Sequence, residues 1–246
     1  MRVVFFLFVL LFATAAAAQT KTPVLVELFT SEGCSSCPPA DQLLARLDRD
    51  QPVKGADVIV LGEHVDYWDR LGWRDRFSSS RFTSRQEAYA AHFGIPGAYT
   101  PQMVVNGAFE LVGNDSRKAV QAIERAAHSS VPAPVIHVER AGDNLHLSVT
   151  DAGKHGLNVL CAITENNLAT AVRGGENHDR ELHHTAVVRQ LTKLGSTRDG
   201  RFQADFPLKF ASDWRPENLR AVLFLQNGSA GEILSAVQIA LSPPTN

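Results

Sequence analysis

Cysteine is scarce in this chain: Cys34, Cys37 and Cys161 are the only three among 246 residues. Three cannot staple a small scaffold, and an odd number leaves at least one thiol without an intrachain partner. No second CxxC accompanies Cys34-Ser35-Ser36-Cys37, so the paired-CxxC set of a structural zinc site is missing. Basic residues are not in excess. The 24 Lys and Arg stand against 26 Asp and Glu, a formal charge of −2, and no basic patch forms. Nucleic acid is therefore not an expected partner. There is no internal repeat and no low-complexity segment. Beyond residue 18 no apolar run approaches the roughly 20 residues that a membrane span needs.

What is present starts with Arg2 and an apolar run over residues 3–18, ending in Ala16-Ala17-Ala18 before Gln19. This is the layout of a secretory signal peptide. Residues 1–18 are expected to be removed, leaving no membrane span and a periplasmic or secreted protein. In such a compartment disulfides persist.

Residues 24–29 read as a buried strand, and residues 30–37 as a loop carrying two cysteines. Ala40, Leu43, Leu44 and Leu47 fall at i, i+3, i+4 and i+7, one apolar face of a helix. Residues 58–61 are a second buried strand, completing a βαβ unit with parallel strands. A polar and aromatic segment, 63–77, precedes a helix over 79–92. Ser84 and Glu87 there have capping-box spacing, which would move its start to Ser84. Residues 102–105 and 108–112 are strands joined by the hairpin signal Asn106-Gly107. A helix over 116–127 points Ala119, Val120, Ile123 and Ala127 inward. Residues 129–134 have linker composition. After them come short strands at 135–139, 145–149, 157–163, 202–206, 221–225 and 233–239, which suggests a β-sandwich. The expected fold is α/β in two domains: 20–130, able to fold alone, and 134–246, all β.

The position of the cysteine pair matters more than the motif. Backbone N–H groups at a helix start lower a thiol's pKa and so favour the reactive thiolate. Cys34 is placed to attack as a thiolate, and Cys37 to resolve a mixed disulfide. Pro38 and Pro39 suit the first helical turn, where a missing N–H costs little. A CxxC also serves soft metals, with His64 or His92 as possible helpers, and it can be an inert structural link.

Residues 24–47 resemble the active-site unit of thioredoxin-like proteins: strand, CxxC loop, helix. The stretch Phe93-Gly94-Ile95-Pro96-Gly97-Ala98-Tyr99-Thr100-Pro101-Gln102 extends the likeness, which covers residues 24–128. The resemblance implies a cis Thr100–Pro101 bond facing the cysteines and shaping a substrate groove. Three departures stand out. Gly33 and Ser35-Ser36 replace the usual aromatic and Gly-Pro. Glu27 matches the buried acid of the first strand only with one extra residue before the cysteine. A second domain follows.

The motifs Glu27-Leu28-Phe29-Thr30-Ser31-Glu32-Gly33-Cys34, Cys37-Pro38-Pro39-Ala40-Asp41, His64-Val65-Asp66-Tyr67-Trp68-Asp69 and Leu71-Gly72-Trp73 resemble an uncharacterised family of exported bacterial proteins, DUF1223. Gly175-Glu176-Asn177 and Val187-Val188-Arg189 are similar to it as well. The family implies a thioredoxin-like fold and names no substrate.

The expected activity is thiol–disulfide exchange on exported protein thiols or disulfides, or small disulfides, with an unidentified electron partner and no organic cofactor or metal. Its site residues are Cys34, Cys37, Thr100, Pro101 and Glu27. The alternative is a binding module or soft-metal carrier without turnover. Glu27 has two readings: a proton acceptor for Cys37, or a carboxylate that pairs with an arginine or lies at a partly solvated strand end. Tyr67, Trp68, Leu71, Trp73 and Phe77 are read as closing the core under a long loop, with a partner-binding surface as the other possibility. His178, Glu181, His183 and His184 read as a surface loop between strands. Cys161 reads as a buried, unreactive thiol.

Overall fold

Two runs that are apolar on both faces, Thr22–Thr30 (β1) and Ala56–His64 (β2), pair in parallel from Thr22↔Ala56 to Thr30↔His64. The computed structural model describes residues 21–128, 132–153 and 156–242. The expected leader, 1–18, and residues 129–131 of the expected linker lie outside the described residues. Between the two strands lies Pro38–Asp50 (α1), entered through Pro38 and Pro39 and burying Ala40, Leu43, Leu44 and Leu47. Val24, Val26 and Leu28 of β1 meet α1 on one side of the sheet, together with Ile123 of Ser116–Ala127 (α3). Leu25 and Phe29 point to the other side, against Phe82 and Tyr89 of Ser80–Phe93 (α2). Strand side chains alternate between faces, so one strand serves both layers.

The start of α2 differs from the capping-box expectation. Ser79, in extended conformation, is the cap, and its hydroxyl accepts the Arg81 N–H. Burying Phe82 against the sheet requires a helical turn before Ser84, so the earlier serine takes the role. Gln102–Val105 (β3) runs antiparallel to β1, and Phe109–Val112 (β4) antiparallel to β3. Their turn has positive φ at Asn106 and Gly107, as Asn-Gly chemistry predicts.

The strands after residue 134 divide between two places. Asn158–Glu165 (β7), Val187–Ser196 (β10), Leu219–Gln226 (β12) and Ile233–Ala240 (β13) extend the same sheet, in the order β13-β12-β7-β10-β2-β1-β3-β4. The join is narrow: β10 meets β2 through Val187↔Gly62, with Gly62 N–H donating to Ala186. Val135–Ala141 (β5), Asn144–Thr150 (β6) and Phe202–Pro207 (β11) form a separate three-stranded sheet. Leu145, Leu147 and Phe206 of that sheet pack on Cys161, Ile163 and Leu223 of the large one. A short hairpin, Leu168–Ala171 (β8) and Glu181–His184 (β9), projects from the large sheet toward α1.

The chain is therefore mixed α/β, with one large mixed sheet and few helices. The halves on either side of the linker share a core: Leu25, Phe29, Ile59 and Tyr89 pack in one cluster with Leu160, Val222, Phe224 and Ile233. No helix among the described residues is long and apolar enough to cross a membrane.

Candidate functional site

The β1 strand ends at Thr30, and the chain turns through Ser31–Ser36 before Cys37 caps α1. Cys34 and Cys37 are joined by a disulfide with Cα atoms 5.4 Å apart. Both are fully buried, at 0 % exposure. In the oxidised protein neither cysteine is open to solvent. The loop is held from two directions.

From one side comes the β2–α2 connection. Trp68 packs on Gly33, so close that a Cβ at Gly33 would sit 3.1 Å from Trp68 Cβ, and its indole N–H donates to Thr100 Oγ1 at 2.8 Å. The Thr100–Pro101 bond is cis. Pro101 and Ala40 of α1 close over Gly113, where a Cβ would lie 3.0 and 3.3 Å from their Cβ atoms. The structure thus brings Thr100 and Pro101 to the first turn of α1, one turn from Cys37. Trp68 packs against the core cluster of Leu25 and Phe29, as the sequence leads one to expect, and it also braces the cysteine loop against the proline loop.

From the other side comes the β8–β9 hairpin. The Glu176 carboxylate accepts the Ser35 N–H and hydroxyl at 3.0 and 2.7 Å. The Asn177 amide donates to the carbonyls of Glu32 and Cys34, both at 2.9 Å.

Glu27 lies elsewhere. It shares the sheet face of Leu25 and Phe29, opposite α1 and Cys37. Its carboxylate accepts Arg85 Nε and Tyr89 OH, each at 2.6 Å. Of its two readings, the arginine-paired one matches the structure. Glu63 sits beside this pair, fully buried, with Arg85 Nε 3.6 Å away. Burial, reinforced by the neighbouring Glu27 charge, keeps the Glu63 carboxyl well above its ordinary value of 4.5. The folded protein then holds a proton that the unfolded chain releases near 4.5, so stability falls as pH rises above that value. Glu63→Gln removes the dependence. We expect it to match wild type near pH 4.5 and to exceed it by about 1–2 kcal/mol at pH 8 in chemical denaturation. An identical fall with pH in both proteins would contradict the assignment.

A second buried array, which sequence reasoning missed, lies behind the cysteine loop. Glu32, His64, Asp75 and His184 are each no more than 4 % exposed. His64 Nδ1 donates to Asp75 Oδ2 at 2.6 Å, and the same oxygen accepts the Glu32 N–H at 2.9 Å. The Glu32 carboxylate accepts the Trp73 indole N–H at 2.8 Å and His184 Nε2 at 3.2 Å. The His64 and His184 rings meet edge to face, 4.9 Å apart. Burial opposes charge on His64, but Asp75, helped by Asp41 and Glu32, outweighs it and holds the imidazole above its ordinary value. Burial likewise pushes Asp75 up, while His64 and the N–H groups of Glu32 and Phe77 bring it below the usual range. Asp41, one turn beyond Cys37 on α1, is raised by burial against the pull of His184 and His64.

The histidine segment is therefore not simply a surface loop. In β9, Leu182 and His184 are buried while Glu181 and His183 are exposed, and that alternation was the available signal. His64 and His92 do not converge: one is committed to Asp75, and the other lies exposed on the last turn of α2. Among the described residues no group of three or more His, Cys, Asp or Glu is arranged to hold a metal ion. Cys161 is buried in β7, where burial pushes its thiol up to about 12.

Among solved structures, a crystal structure of a protein from Agrobacterium tumefaciens is 28 % identical, with a TM-score of 0.73 over 93 % of this chain and 98 % of that one. A domain of the outer membrane lipoprotein Omp28 from Porphyromonas gingivalis is 13 % identical over 48 % of this chain and 96 % of its own. Its TM-score of 0.26 is too low to bear on the fold. No curated protein matches. The sequence model of the family described as "Protein of unknown function (DUF1223)" matches residues 25–226. That match runs from β1 through the cysteine loop, the proline loop and the β8–β9 hairpin to the end of β12, and the chain belongs to the DUF1223 family.

Proposed function

We propose that this protein is a thiol–disulfide oxidoreductase of an extracytoplasmic compartment, built on a thioredoxin-like unit. The observation that carries the reading is the Cys34–Cys37 disulfide at the start of α1, with the cis Thr100–Pro101 bond one turn away. The arrangement of β1, α1 and β2, followed by antiparallel β3 and β4 and by α3 on the α1 face, supports the thioredoxin-like assignment. The three-stranded sheet laid on β7 and β12 supports a sandwich in the second half. Residues 1–18 support export through their signal-peptide layout.

In the reducing direction, the Cys34 thiolate attacks one sulfur of a substrate disulfide, and the other sulfur leaves as a thiolate that takes up a proton. Cys37 gives up its proton and attacks Cys34 Sγ, breaking the mixed disulfide and releasing the second substrate thiolate. The substrate gains two electrons, the protein ends as the disulfide seen here, and a dithiol partner must reduce it again. Run backwards, the same steps oxidise a substrate dithiol.

Cys34→Ser is expected to abolish exchange. Cys37→Ser, expressed with residues 1–18 in place, should leave Cys34 in mixed disulfides that a non-reducing gel of periplasmic extract resolves. These adducts should vanish with reductant and be absent from the double variant. No adducts, together with no turnover of any test disulfide by wild type, would end the enzymatic reading. A second reading has one observation in its favour: both cysteines are buried, as in an inert structural link of a binding module.

A further inference from the structure

We propose that the tip of the β8–β9 hairpin is a latch over the disulfide, and that Glu176 and Asn177 determine which thiols reach it. The inference deepens the thiol-exchange reading and rests on it for its biological sense, but its geometry stands apart. A thiolate must reach a disulfide sulfur to exchange with it. Here both cysteines are at 0 % exposure, while Ser35 and Ser36 between them are exposed. The pair is therefore screened locally and is not deep in the core.

The exposed side of this loop is held by a segment about 140 positions away in the chain. Gly175–Asn177 forms a single helical turn between β8 and β9. Glu176 grips the Ser35 N–H and hydroxyl from outside. Asn177, itself fully buried, bridges the Cys34 and Glu32 carbonyls. The tip is seated on the β2–α2 connection by glycines. A Cβ at Gly174 would collide with the Gly72 carbonyl, and one at Gly175 would come within 3.0 Å of Trp73 Cβ. Gly175 also has φ of +67°, which only glycine adopts freely.

Holding strength is uneven along the segment. The base is anchored: Val172 N–H donates to Arg180 and Asp179 N–H to Val172, the strands pair from Leu168↔His184 to Ala171↔Glu181, and His184 bonds Glu32. The tip is bonded to the cysteine loop by the solvent-facing Ser35–Glu176 contact and by the Asn177 amide, whose oxygen accepts Arg180 Nη1 at 3.1 Å. A partner that takes the Ser35 donors for itself displaces Glu176 and frees the tip about Gly174 and Gly175, leaving the base in place. Gating of this kind separates the disulfide from small thiols and opens it to partners that can engage Ser35.

The test uses the oxidised full-length mature protein and dithiothreitol, with liberated thiols trapped and counted by mass spectrometry. Wild type is expected to react at least about tenfold more slowly in native buffer than in denaturant. Glu176→Ala should react about tenfold or more faster than wild type in native buffer, since two hydrogen bonds to a charged group are lost. Asn177→Ser should do the same, and both should equal wild type in denaturant. Glu176 is exposed, so its variant should still fold, and losing the same two bonds should lower its melting temperature by only a few degrees. Equal native rates for all three proteins would overturn the latch, as would a wild-type disulfide that reacts equally fast folded and unfolded. Fast reduction of Glu176→Ala without exchange on any substrate would support the latch while removing the enzymatic reading.

Discussion

Arg85→Met is expected to cost about 3–5 kcal/mol of stability, because it leaves the buried Glu27 carboxylate without its counter-charge. Arg85 is the hub of the layer between α2 and the sheet. Its Nε donates to Glu27, its Nη1 to Gln226 Oε1 at 3.0 Å, and its Nη2 to Tyr89 OH at 3.1 Å. Tyr89 OH in turn donates to Glu27, and the Gln226 amide donates back to Tyr89. Removing one partner of such a pair exposes the full desolvation cost of the other. The double variant Glu27→Gln with Arg85→Met removes both charges and should recover most of the loss. Denaturation of the four proteins of this cycle checks the claim. A deficit that the double variant does not relieve would show that packing and not charge sets the cost.

Expressing residues 21–128 without the rest should yield no cooperative melt. The linker composition and the change from mixed to all-β pattern suggest an independent first unit, but the shared cluster makes the opposite outcome the expected one. Leu25, Phe29, Ile59, Leu61, Tyr89 and Val104 bury against Leu160, Val188, Val222, Phe224 and Ile233 from beyond the linker. Each such side chain loses roughly 1.5–3 kcal/mol of burial when its cover is removed. Several of them together outweigh the 5–15 kcal/mol that a whole domain usually has. The same cut leaves the β2 edge unpaired at Gly62 and takes the Gln226 partner from Arg85. We expect helical circular dichroism with strong dye binding to exposed apolar surface and a broad thermal transition. A sharp transition near that of the full chain would establish independence.

Much of this fold was legible in the sequence wherever periodicity and burial coincide. The apolar runs of β1 and β2, the i, i+3, i+4, i+7 face of α1 and the Asn106-Gly107 turn all took the forms their patterns dictate. The sharing of the large sheet was not legible, because strand patterns report which faces are buried and not which edge they join. The single pair Val187↔Gly62 decides that, and nothing in either residue announces it. At the candidate site, the cysteines and Pro101 could be read because their chemistry is local. The array of Glu32, His64, Asp75 and His184 could not, since its members come from four separate segments and meet only in the folded chain. Glu27 carried two readings, and strand alternation decides for the arginine-paired one by turning the acid away from α1; which arginine it meets was not legible, since Arg85 lies 58 residues further on.

Cys161 bears on how a chain with three cysteines keeps its pairing faithful. In β7 its thiol is enclosed on both sides, at 0 % exposure between Leu160 and Ala162. With its proton loss pushed up to about 12, only about one molecule in 100,000 carries the thiolate at pH 7. Disulfide shuffling needs both a thiolate and a path to the bridge, and this residue has neither. The odd sulfur is thereby quarantined: it cannot capture Cys34 or Cys37 in a scrambled isomer, and it cannot link two chains, for as long as the large sheet stays closed.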